Sequence, residues 1–289
     1  MKRIIHTTLF LTLFFCLFSA NVISQERYGG LTLYTLQRQM MQNPDEIIQD
    51  VAEVGYKDNE VADYRDGKIY GMTPEELKKK TNDLGMEPLS AHMGMVTMEN
   101  ADQLIADLEK AGIKYFVIPV PPMGYAEFNR EERSLTMSED LEGLCEVLTT
   151  LGKKCKEAGL ELLYHNHNFE FVKNSKGIIP YDYFLENLDP EFVNFEIDLY
   201  WAVKGGADPV AYFEKYPGRF KIWHLKDMDE EGDFAPVGAG TIDFARMLEK
   251  KDISGMEYYI VEQDRTKDGM TPQEAIRISH KGLKDFGFN

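Results

Sequence analysis

Cysteine is scarce: three occur in 289 residues, and one of them, Cys16, lies in an apolar N-terminal stretch. A disulfide-stapled fold is excluded, because Cys145 and Cys155 fall in one amphipathic segment and would stand about 15 Å apart along a helix. Positive charge is also short, with 32 Lys and Arg against 49 Asp and Glu and a formal net charge of -17. That surplus of acid repels polyanions, and no basic patch interrupts it, so nucleic acid is not an expected partner. Low-complexity tracts and an internal linker are missing too, which leaves one continuous domain. Hydrophobic residues make up 43% of the chain, enough for a large core.

The longest apolar run is at the start. Lys2 and Arg3 precede the stretch Leu9–Phe18 and then Val22-Ile23-Ser24, the charged start, short apolar middle and small-residue end of a secretory signal. The stretch is shorter than the roughly 20 residues of a spanning helix. The expected organisation is therefore a signal peptide at 1–24, cut after Ser24, and one domain at 25–289 that is exported, periplasmic and without a membrane span. Losing Lys2 and Arg3 takes the charge from -17 to -19.

From Leu31 onward, short β-rich runs alternate with longer amphipathic segments. Eight strands are expected: 31–36, 58–62, 87–92, 114–119, 160–165, 193–198, 220–225 and 257–262. Helix starts are marked by Asn43-Pro44, Thr73-Pro74, Ser138-Glu139-Asp140, Asp208-Pro209 and Thr271-Pro272. Gly55, Gly85, Gly112 and Gly159 stand where helices end in a left-handed residue. Eight such units predict the α/β class and a closed (β/α)8 TIM barrel. The alternative, an open doubly wound sheet, lacks its glycine-rich phosphate loop after the first strand. The segment 119–137 reads as a lid or a surface loop over the barrel mouth.

Active sites of such barrels form at the C-terminal ends of the strands, and the polar residues expected there are distinctive. They comprise Glu60, His92, His165, His167, Glu170, Asp198, His224, Lys226, Glu262 and Asp264. Carboxylates converging on one mouth repel one another unless a cation neutralises them, so one divalent metal ion is expected, Mn, Mg, Co or Zn. Asp198 and Glu262 also have a plainer reading as caps of the following helices, and His224 as a hydrogen-bonded core residue. Lys226 pairs with Asp198 or Asp227, or holds an anionic group of a substrate. Trp201 is either a wall of the pocket or ordinary core.

The ordered motifs YHNHNFEF (164–171), EIDLYW (196–201), WHLKD (223–227), VGAGTIDF (237–244) and VEQD (261–264) resemble the xylose isomerase-like barrels known as sugar phosphate isomerases/epimerases. The resemblance implies one divalent metal held by a Glu, an Asp, a His and a Glu from the fifth to eighth strands. Asp198, His224 and Glu262 match the last three. The first position departs from the pattern: His165 stands there and Glu170 is the nearest acid, with Glu170 slightly favoured.

The resemblance further implies a sugar isomerase or epimerase working through an enediolate, with Glu170 and Glu262 as the proton-transfer pair and His167 and Lys226 assisting. Glu60, His92, His165, His167, Trp201 and Lys226 would bind the carbohydrate. Two alternatives share these residues: a metal-dependent lyase or hydrolase acting on a keto-sugar or keto-glycoside, and a non-catalytic carbohydrate-binding barrel. Export argues against phosphorylated substrates. The oligomeric state is left open.

Overall fold

The computed structural model describes residues 28–129, 134–267 and 269–288. The expected signal segment at 1–24 lies outside them. Eight parallel strands close into a barrel in chain order: β1 (Gly30–Thr32), β2 (Asp58–Val61), β3 (Glu87–His92), β4 (Tyr115–Ile118), β5 (Glu161–His165), β6 (Val193–Asp198), β7 (Phe220–Leu225) and β8 (Tyr258–Val261). β1 pairs with both β2 and β8, which closes the ring.

The helices begin where the sequence signals place them. Thr73 and Thr271 each form a reciprocal capping box with a glutamate three residues on, and Asp140 and Asp208 accept from Gly143 N and Val210 N. Gly55, Gly112 and Gly159 close helices at φ of 112°, 80° and 82°. The barrel-facing sides of the helices and the outward side chains of the strands bury one continuous apolar layer. A smaller cluster of Leu89, Tyr115, Val117, Leu163, Ile222 and Ile260 fills the barrel interior below the mouth.

The first expected strand is too long. β1 ends at Thr32, and Leu33–Leu36 coil into a 3-10 turn. Leu33 and Leu36 are both fully buried, and their spacing of three puts them on one side of such a turn, whereas a strand would send them to opposite faces. The segment 119–137 contains an antiparallel hairpin, Ala126–Asn129 with Ser134–Met137.

Two irregularities set which side chains face inward. Asn59 pairs with Pro88 but Glu60 pairs with Ser90, so Leu89 is an extra residue in β3. The slip lets Leu89 join the interior cluster while Ser90 still meets Glu60. A similar shift between β6 and β7 pairs Phe195 with Phe220 and Glu196 with Ile222. Such bulges re-aim side chains at barrel rims.

Candidate active site

Alternation along the strands stacks polar side chains above the apolar interior cluster. On β6, Glu196 and Asp198 share the inward face; on β7, His224 and then Lys226 follow Ile222; on β8, Glu262 follows Ile260. Glu60, Glu196, Asp198 and His224 are closed to solvent, and Lys226 is 1% exposed.

The lower layer is built around Glu196. Its Oε1 lies 2.6 Å from His92 Nε2, 2.9 Å from His165 Nδ1 and 3.1 Å from His224 Nε2. Glu60 approaches the same imidazoles, 3.0 Å from His224 Nε2 and 3.3 Å from His92 Nε2, while its second oxygen accepts from Ser90 Oγ at 2.7 Å.

The upper layer is built around Lys226. Its ammonium lies 2.7 Å from Glu262 Oε2, 3.0 Å from Asp264 Oδ2 and 3.2 Å from Asp198 Oδ2. It also sits over the rings of Trp201 and Phe234, at 5.3 and 5.6 Å from their centroids. Trp201 therefore walls the mouth, with His167 against it at 5.5 Å between centroids. His224 joins the layers, since its Nδ1 lies 3.2 Å from Glu262 Oε2.

Burial and mutual charge set the ionisation of these groups. Burial alone would raise Glu262, but Lys226 and His224 outweigh it and hold its carboxyl well below the ordinary value. Burial would lower Lys226, yet Asp198, Asp264 and Glu262 hold it firmly protonated. Asp264 is pushed up to about 6 by burial, opposed by Lys226. His165 is lowered well below the usual histidine range by burial and then by the other imidazoles, and His167 is lowered to about 3 by burial and then by Lys226. Burial would lower His92 and His224 as well, but Glu60 and Glu196 raise both. The lower cluster thus draws positive charge into itself.

Two overlapping sets bring ligand atoms within 4.8 Å of one another: His92, His165, Glu196 and His224, and His165, Asp198, His224 and Glu262. The donors suit a divalent cation. Buried Glu60 Oε1, Glu196 Oε2, Asp198 Oδ2 and His224 Nε2 make no hydrogen bond of good geometry, even where an oppositely charged atom is near. Mixed imidazole and carboxylate donors are those of transition-metal sites.

Of the residues expected from sequence, Glu60, His92, His165, Asp198, His224, Lys226 and Glu262 meet here. Asp198 also fulfils its plainer reading: Oδ1 caps the next helix through Trp201 N at 2.8 Å, leaving Oδ2 to the site. Lys226 pairs with Asp198 and not with Asp227, whose carboxylate instead accepts from Met228 N, Gly238 N, Gly240 N and Ile242 N.

Glu170 is a correction, since it belongs to neither ligand set. The 3-10 turn Phe169–Phe171 carries it to the outer side of β5, where it accepts from Tyr164 Oη and His167 N, each at 2.9 Å. Tyr164 and His165 are neighbours on a strand and face opposite ways. Glu196 was not anticipated, although its position two residues before Asp198 in a strand was the available signal. Clefts of about 860 and 660 Å³ adjoin the mouth, one lined by His92 with Gln37, Asp63, Arg65 and Gln103, the other by Gln263 with Phe234, Pro236 and Arg277.

The xylose isomerase-like TIM barrel family matches residues 48–286. An inosose dehydratase from Geobacillus kaustophilus is 28% identical over 259 aligned positions, which span 76% of this chain and 80% of that protein. One from Clostridium tetani is 26% identical and spans 76% and 82%. Among solved structures, a sugar phosphate isomerase/epimerase from Parabacteroides distasonis superposes with a TM-score of 0.75 at 28% identity, over 93% of this chain and 97% of that one. An L-ribulose 3-epimerase, at 14% identity and a TM-score of 0.67, shares the fold. The closed barrel, the stacked polar layers at its mouth and the match over most of the chain agree: this protein belongs to the xylose isomerase-like TIM barrel family.

Proposed function

We propose that this protein is a metal-dependent enolising enzyme of the dehydratase type, acting on a polyhydroxylated ketone such as a keto-sugar or keto-cyclitol. The supporting observation is the one-sided placement of proton-transfer groups. Glu262 and Asp264 flank Lys226 on the β8 side of the mouth, whereas β5 presents His165, held neutral by burial, where the epimerases of the family carry a second glutamate. Epimerisation moves a proton on both faces of one carbon; elimination needs one base and one acid. The dehydratase relatives favour the same outcome.

In this reading the ketone enters the mouth against Trp201 and His167. A carboxylate beside Lys226, Glu262 or Asp264, takes the proton from the carbon next to the carbonyl. The electron pair left behind forms the enediolate and then expels the hydroxyl on the next carbon. That hydroxyl leaves as water with a proton delivered through Lys226 and its carboxylates, so the balance is loss of one water with no redox change. A divalent ion on the imidazole and carboxylate donors would polarise the ketone oxygen and stabilise the developing negative charge. Gln37, Asp63, Arg65 and Gln103 in the cleft beside His92 suit recognition of hydroxyl groups.

The test is incubation of the metal-reconstituted protein with an inosose and with free ketohexoses in D2O. Loss of water, read as the ultraviolet absorbance of the unsaturated or diketone product, is the expected result. Deuterium uptake at carbon without that absorbance would replace this reading with an isomerase or epimerase. Neither change, together with measurable sugar binding, would leave the binding-barrel alternative.

A further inference from the structure

The two clefts that flank the mouth differ in chemistry. The one beside His92 presents Gln37, Asp63, Arg65 and Gln103, groups that suit hydroxyls. The other, of about 660 Å³, lies between the loop after β7 and the loop after β8, and its walls include Phe234, Pro236, Met270 and Ile278. We infer that this second cleft receives an aromatic or otherwise apolar group carried on the oxygen that the reaction expels, so that the substrate is a keto-glycoside and its aglycone fills the cleft. The inference rests on the enolising reading above and extends its leaving group from a hydroxyl to a substituted oxygen.

Three observations carry it. First, the cleft adjoins the groups that hand a proton to the leaving oxygen. Phe234 lines it, with its ring centroid 5.6 Å from Lys226 Nζ, and so does Gln263, which stands between Glu262 and Asp264 in the chain. A group bonded to the oxygen protonated through Lys226 therefore finds this cleft beside it. Gln263 is 2% exposed and its Oε1 has no hydrogen-bond partner, while its Nε2 donates to Arg265 O. That leaves one buried acceptor free for a sugar hydroxyl where the mouth meets the cleft.

Second, the wall is aromatic and firmly held. Phe234 packs on Tyr200 and Trp201, at 4.7 and 5.6 Å between centroids, and the Arg265 guanidinium lies 5.0 Å from its centroid. Ile278 on the same cleft is 40% exposed, apolar surface that an apolar ligand would remove from water.

Third, the charged side chains around the cleft are already engaged. Asp229 pairs with Lys267, Glu274 closes the capping box with Thr271, and the Arg277 guanidinium donates to Gln273 O. A charged occupant would compete with these contacts, whereas an uncharged apolar one leaves them in place. Mostly apolar walls with few polar anchors are those of sites for such groups.

The chemistry balances without a co-reactant. For the expelled oxygen to be glycosidic, the ketone stands two carbons from the anomeric carbon. The carbon between them loses its proton to the carboxylate beside Lys226, and the C–H electron pair becomes the new double bond. The bond from the anomeric carbon to the aglycone oxygen breaks with its pair on oxygen, which takes the proton carried through Lys226. An unsaturated keto-sugar and an alcohol leave, with no redox change.

The test compares benzyl and methyl 3-keto-glucosides, in both anomeric forms, on the metal-reconstituted protein. Benzyl alcohol and methanol are acids of nearly equal strength, so a difference between the glycosides reads the cleft and not the leaving group. Wild type is expected to show a kcat/KM at least about tenfold higher for the benzyl glycoside, the order expected for covering one ring. Ile278→Glu, a substitution outside the reacting groups, is expected to remove that preference. Turnover of the methyl glycoside should stay unchanged in this variant, which also shows that it is folded. Equal kcat/KM for the two glycosides in wild type, or a preference that survives Ile278→Glu, would overturn the site. Water loss from an inosose with no alcohol release from either glycoside would overturn it and leave the dehydratase reading intact. No change in any of the three compounds would overturn both.

Discussion

Lys226 reaches Glu262 across the barrel mouth, Nζ to Oε2 2.7 Å, with only 1% and 6% of the two side chains exposed. A buried ammonium that meets three carboxylates holds the upper layer together. Replacing it with methionine, which keeps the length, leaves Asp198, Glu262 and Asp264 facing one another with only His224, beside Glu262, as a counter-charge. Lys226→Met is expected to lower stability by about 3–5 kcal/mol, the range for breaking a buried ion pair. Adding Glu262→Gln should recover part of that loss, and chemical denaturation of the two variants checks it. Equal or greater loss in the double variant would show that the pair does not act as a unit.

Glu170 gives a pH signature separate from the site. Burial raises its carboxyl from 4.5 to about 8. Between those values the folded state holds a proton that the unfolded state has released, so the contribution of Glu170 weakens stability as pH rises from about 4.5 to about 8. The slope is at most about 1.4 kcal/mol per pH unit. In Glu170→Gln the amide carbonyl still accepts from His167 N and its NH2 faces Tyr164 Oη, so the variant should lack this slope and gain on wild type at pH 8 relative to pH 5. Thermal melts across that range decide it; parallel curves for the two proteins would be incompatible with a buried neutral acid.

Glycine at 282 is required for contact and not for its backbone angle. In the helix Pro272–Phe286 alanine would ordinarily gain about 1 kcal/mol over glycine. A Cβ at Gly282, however, would meet the carbonyl of Val237 and the Cα of Gly238. Gly282→Ala is therefore expected to destabilise by about 1–3 kcal/mol, as overpacking does. A raised melting temperature would contradict that close approach.

Asp227 pins the loop that follows β7 through four backbone N–H groups, two on each oxygen. Asparagine keeps one oxygen and turns an NH2 toward the other two donors. Asp227→Asn should cost about 1–3 kcal/mol and speed amide exchange at two of those four positions. Unchanged exchange at all four would remove this account.

The N-terminal residues make a separate prediction about processing. Cleavage after Ser24 would give an exported protein that begins at Gln25. Mass spectrometry of the protein expressed with its own N-terminus reads this directly, and an intact chain beginning at Met1 would refute it.

The eight-fold alternation was legible because strand and helix periods, proline starts and glycine ends are local signals. Strands 87–92, 193–198 and 220–225 read from sequence coincide with β3, β6 and β7. Chain order also placed Asp198, His224 and Glu262 at strand ends, and the barrel then brought them together. What sequence could not supply was direction. Leu31–Leu36 read as one β-rich run, yet Leu33–Leu36 coil into a 3-10 turn that buries Leu33 and Leu36 on one side. Glu170 is near His165 along the chain, yet one residue of strand parity and a short turn send it to the other side of β5. Glu196 and Glu60 come from strands far apart in sequence, and the β3 bulge sets which side chains face them. Sequence by itself determined the repeat and its chemical inventory, because periodicity is carried by neighbours along the chain. Only the closed barrel decided which carboxylate meets Lys226 and which meets the imidazoles, because those distances depend on register and parity between strands.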